Sequence, residues 1–195
     1  MNINAAEFPL RRVTTIFCSA AFMSPLAAQA GGKGHAAHEH GVATLNVIAE
    51  GTSVTVQLET PAESIYGFEH EAKKPAEVKK RDDAVNKLRN NAEKMFLLDT
   101  SLGCKVVNAE VKPFVVEGND SGSKASNEPK NKKKGTHSEV HATFKFECSK
   151  PVAGSALKFA ARSQFKALST LKVQVLSGDK QSGSTIKNDA GTVEL

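Results

Sequence analysis

Two runs of strict apolar/polar alternation, set back to back around Glu50-Gly51-Thr52, limit what this chain can become. Ala43, Leu45 and Val47 alternate with Thr44 and Asn46, and Val54, Val56 and Leu58 alternate with Thr55, Gln57 and Glu59. A period of two places every second side chain on the same face of an extended strand, so each run buries one face and wets the other. With a glycine-bearing turn between them, the runs predict a β-hairpin that ends at Pro61. A third run lies far downstream, where Val140, Ala142, Phe144, Phe146 and Cys148 share one face. His137, Glu139, His141, Thr143, Lys145 and Glu147 share the other. The centre of the fold is therefore a sheet with one buried face.

Pro75 suits the first turn of a helix, and beyond it Val78, Val85, Leu88, Ala92 and Phe96 recur at helical spacing. This predicts one amphipathic helix over residues 75–98, with its apolar stripe covering the sheet. Strand chemistry returns over 104–116, broken at Pro113, and again at 156–160 and 171–176, with a short helix near 162–168. A turn at Ser177-Gly178-Asp179 leads to a weaker final hairpin. The expected class is α+β: a mainly antiparallel sheet built from hairpins, covered by one long amphipathic helix and a short second helix. With no Trp and one Tyr, the ten Phe must supply the aromatic core. Residues 117–136, EGNDSGSKASNEPKNKKKGT, have no apolar period and read as a solvated lysine-rich insert in a single domain, 42–195.

The first thirty residues read as an address. Arg11 and Arg12 precede an apolar stretch from Val13 to Ala28, and Ala28-Gln29-Ala30 offers small residues at the two positions a signal peptidase reads. A cleavable signal peptide over 1–30 follows, with export to the periplasm and a flexible His-containing leader over 31–41. The residues after Arg12 do not match twin-arginine export, and those around Cys18 do not match a lipoprotein signal. After residue 30 nothing approaches about 18–20 apolar residues in a row, so no transmembrane segment is expected in the mature chain. Cleavage removes Cys18 and leaves Cys104 and Cys148, an even pair in an oxidising compartment, which reads as one disulfide. Closing a loop of that length is worth about 4 kcal/mol in the chain-entropy model.

Motifs for catalysis are missing: there is no glycine-rich phosphate loop, no G-x-S-x-G, no HExxH and no CxxC. The expectation is that the protein is not an enzyme. Nucleic acid is not an expected partner of an exported chain, despite five lysines in the insert. The informative residues are the six histidines. His35, His38 and His40 form H-x-x-H-E-H, His137 and His141 form H-S-E-V-H, and His70 sits in F-E-H-E. Neutral imidazole is a favoured zinc ligand. The alternation assigns His40, His137, Glu139 and His141 to exposed faces that a metal can reach. If the two strand ends meet, His38 or His40 joins His137 and His141, with Glu139 as an oxygen ligand.

HEHGVATLNVIAEG, SIYGFEHE, Cys104 before the lysine insert, HSEVHATFKFEC and ARSQFKALSTLKVQVL follow one another in this order. In this the chain resembles the zinc-regulated protein A (ZrgA-like) family of periplasmic proteins. The resemblance implies zinc, or a similar divalent metal, bound in the periplasm in support of a zinc uptake system, without catalysis. It places the metal at His38 and His40 of HxHG, His70 of GFEH, and His137 and His141 before the second cysteine. One departure from the family pattern is plain: the insert carries lysines where the family carries metal-binding side chains, which leaves one or two sites for the remaining histidines. The competing expectation is an interaction module whose lysine-rich loop binds an anionic partner or surface.

Overall fold

The computed structural model describes residues 39–116, 138–189 and 191–195. The expected signal peptide, residues 31–38 of the leader and the lysine-rich insert lie outside the described residues. The alternating runs become β1 (Val42–Glu50) and β2 (Ser53–Pro61), paired antiparallel with Val47 opposite Val56 and Glu50 opposite Ser53. The downstream run becomes β5 (Ser138–Glu147), which adds to β2 on its other side. Every second residue of these strands is buried, as the alternation requires.

A six-stranded sheet forms in the order β4-β5-β2-β1-β7-β8, with β4 at Lys105–Val116, β7 at Thr170–Ser177 and β8 at Lys180–Lys187. Strand β4 is an edge strand that runs on through Pro113, where a break was expected; its register against β5 shifts between Lys112 and Val115, since Pro113 has no N–H to give to a ladder. Cys104 and Cys148 form a disulfide where β4 begins and β5 ends.

The expected fold class fails on two points. The sheet is mixed, because β7 runs parallel to β1, Val42 beside Thr170 through Ala49 beside Ser177. Alternation marks a segment as strand but does not say which neighbour it joins or in which direction. The covering layer is also different: 49% of the described structure is strand and 24% helix, so the protein is mostly β. The helix expected over 75–98 ends early. Helix α2 is Pro75–Asn90 and buries only Val85 and Leu88. Asn91 leaves helical backbone at φ −118° and ψ 22°, a single turn α3 (Ala92–Met95) follows, and Phe96–Leu98 is strand β3. The remaining helices, α1 (Ala62–Tyr66) and α4 (Ala161–Gln164), are short.

In place of a long helix, a three-stranded sheet faces the large one. Its order is β3-β6-β9, with β6 at Ala156–Phe159 and β9 at Thr192–Glu194. Phe96 of β3 meets Phe144 of β5 at 5.4 Å between ring centroids and Phe159 of β6 at 6.2 Å. Phe96, Phe144, Phe146 and Phe159 are the largest fully buried side chains, and one apolar cluster runs from the strands of the large sheet to Leu195. The expectation of a Phe-built core holds.

Candidate metal centre

One end of the β1–β2 hairpin carries the site. There His40 precedes β1, Glu63 lies on α1 directly after β2, and Glu69 lies on the segment that links α1 to α2. His40 Nδ1 is 2.7 Å from a Glu63 oxygen and 3.9 Å from a Glu69 oxygen. One ligand atom from each of the three residues lies within 4.8 Å of the others, the one such group among the described residues. Zinc bound at 2.0–2.2 Å needs tetrahedral neighbours roughly 3.3–3.6 Å apart. The two His40 distances bracket that spacing. One imidazole nitrogen and two carboxylates suit zinc. His40 and Glu63 are exposed and give a metal access, whereas Glu69 is mostly covered and its Oε1 is shielded from solvent.

Local chain geometry forces this meeting. Gly41, next to His40, has φ 78°, and a Cβ there would stand 2.7 Å from the Ala167 carbonyl oxygen. Only glycine turns the chain at that point without strain or clash. Gly67 at φ 86° ends α1, with its N–H donating to the Glu63 carbonyl, and reverses the chain so that Phe68, Glu69 and His70 return past the helix. The glycines of HxHG and YGFEH thus aim His40 and Glu69 at one point.

The other expected ligands fall elsewhere. His70 Nε2 lies 3.4 Å from Glu77 and its ring stacks on Phe68 at 4.8 Å. Glu77 also accepts from the backbone N–H groups of Lys73 and Lys74 at the start of α2. Partial desolvation pushes its carboxyl upward, but those bonds and His70 outweigh it and hold it below the usual carboxylate value. On the open face of the large sheet His141 Nε2 is 2.9 Å from Glu139 Oε2, as their shared strand face implies. The hydrogen bond to Glu139 raises the His141 imidazole above its ordinary value of 6.5; burial opposes this, and Glu59 reinforces it. Lys112 sits opposite His141 in register on β4. His141 and Glu139 do not join the His40 group; His35, His38 and His137 lie outside the described residues. Glu63 and Glu69 are candidate ligands that the histidine-based reading of the sequence did not include. Glu69 stood inside the quoted F-E-H-E, next to the histidine that was chosen in its place.

No helix among the described residues is long and apolar enough to cross a membrane. No curated protein matches the chain in sequence. The family model described as ZrgA family zinc uptake protein matches residues 37–195, from just before His40 to the last residue of the chain. That match spans most of the chain, and the chain belongs to the ZrgA family of zinc uptake proteins.

Proposed function

We propose that this protein is exported to the periplasm, binds zinc as cargo at His40, Glu63 and Glu69, and hands it to a component of the zinc uptake system without catalysing a reaction. The observation that carries this reading is the three-ligand corner itself. Three protein ligands leave one tetrahedral position open, so an incoming ligand from a receiving partner can attach before the first three let go. A closed four-ligand site would store the ion but release it slowly. Export is supported by the Arg11-Arg12 start, the apolar stretch and Ala28-Gln29-Ala30, and by a disulfide of the kind that oxidising compartments maintain. Zinc serves here as a passenger, held by imidazole nitrogen and carboxylate oxygen, and no step of chemistry is asked of it.

The test is calorimetric titration of the periplasmic, tag-free chain with zinc, beside His40→Ala. One zinc per chain with affinity lost in the variant is expected, and equal binding by both proteins would end this reading. Amino-terminal sequencing of the same preparation is expected to begin at Gly31, and a chain retaining residues 1–30 would refute the cleavage.

A further inference from the structure

Three polar side chains are buried among the described residues: Thr60, Ser64 and Ser138. Burying a hydroxyl is unfavourable unless it is hydrogen-bonded, and an apolar side chain would be the simpler occupant. Thr60 lies in phase with Val54, Val56 and Leu58 on the buried face of β2. Ser138 lies in phase with Val140, Ala142 and Phe144 on the buried face of β5. At the end of each strand nearest the corner, the apolar series gives way to a hydroxyl.

All three hydroxyls bond to backbone of the segments that carry the metal ligands. Thr60 Oγ1 donates to the Val42 carbonyl at 3.0 Å, two residues beyond His40. The Gly41 N–H, adjacent to His40, donates to Ser64 Oγ at 3.2 Å, and Ser64 is the neighbour of Glu63. Ser138 Oγ donates to the carbonyl of Glu69 itself. His40 is thus tied to α1 and β2, Glu63 to the start of β1, and Glu69 to β5. The backbones of the three segments are held by bonds from buried hydroxyls.

We propose that Thr60, Ser64 and Ser138 are positioning residues that preset the spacing of His40, Glu63 and Glu69 for the metal. The proposal rests on the reading of that corner as the zinc site. Groups that orient metal ligands typically change affinity by about 10–100-fold when removed. Competition of zinc chloride between the full secreted chain and a chromogenic chelator, with thermal melts recorded in parallel, gives the test. Thr60→Val, Ser64→Ala and Ser138→Ala are each expected to weaken zinc binding about tenfold. Thr60→Ser, which retains the hydroxyl, is expected to bind as the parent does. Val54→Ala, at the far end of the same hairpin, is expected to lower the melting temperature while leaving zinc affinity unchanged. Hydroxyl variants that melt earlier but bind zinc as the parent does would overturn the positioning role, provided His40→Ala abolishes binding in the same assay. If His40→Ala also binds as the parent does, the site is lost and the positioning role with it.

Discussion

His40 and His141 each sit beside carboxylates, and only His40 lies in a group of three potential metal ligands. His40 meets Glu63 and Glu69, which come from two further segments, α1 and the stretch after it. His141 meets Glu139 from its own strand, two residues away, with Lys112 across the ladder. In the first case the chain has turned sharply at Gly41 and Gly67 to bring ligands together from separate segments. In the second the strand's own period of two produces the pair, and any strand with His and Glu at alternate positions would do the same. The difference is one of stoichiometry and charge. The corner offers three donors within 4.8 Å of one another, two of them anionic; the open face offers a His–Glu pair flanked by Glu59 on β2 and by the Lys112 ammonium on β4, which opposes a cation there.

The largest effect is expected far from either histidine. Replacing Cys104 and Cys148 by Ser removes the clip at the end of β5 opposite Ser138 and costs about 4 kcal/mol by the chain-entropy model. At roughly 2–4 °C per kcal/mol for a domain of this size, calorimetry reads a melting temperature lower by about ten degrees. Zinc affinity measured below that transition is expected to stay unchanged, which keeps stability and binding in separate regions. A loss of binding in the folded variant would merge them.

Next in size is the direct contrast between the two histidines. Glu63→Gln combined with Glu69→Gln keeps shape but removes both anions, and zinc affinity is expected to fall about a hundredfold or more, beyond the loss typical of outer partners alone. His141→Ala is expected to change it by no more than about twofold, well below the tenfold that 1.4 kcal/mol represents. Equal losses in the two variants would erase the distinction drawn here.

The smallest effect is electrostatic. His141 is raised above 6.5 by its bond to Glu139, so the folded state holds its proton more tightly than the unfolded chain. Its contribution to stability is therefore full below about pH 6.5 and is lost as pH rises through the higher folded value. The ring is about one-third exposed, so solvent screening limits the effect to less than about 1 kcal/mol. Melting curves of the parent and His141→Ala are expected to differ at pH 5.5 and converge at pH 8.5. Zinc binding at the His40 corner should run the opposite way, weakening on acidification, because protons compete with the metal for imidazole. A gap that widens with rising pH would reverse the sign of the His141 assignment.

Legibility in the sequence follows the same division. The hairpin, β5, the buried face and the cystine were all readable, because each rests on a local period or on a compartment argument. The parallel joining of β7 to β1 was not, since alternation is blind to direction. Phe96 satisfied both the helical stripe and a strand, and the break at Asn91 decided for the strand. At the candidate site, HxHG and GFEH supply His40 and Glu69, two of the three side chains that the structure groups. The carboxylates were passed over because glutamates are common on any surface, and nothing local marks Glu63, exposed on α1, or Glu69, which follows the left-handed Gly67. Histidine spacing also suggested a union of His40 with His141 that the described residues do not make.

The central claim is tested most directly by a crystal structure of the zinc-loaded protein with an anomalous difference map recorded at the zinc edge. A peak is expected within about 2.0–2.2 Å of His40 Nδ1 and of one oxygen from each of Glu63 and Glu69. A fully loaded protein whose only peak lies beside His141, or away from His40 altogether, would contradict it.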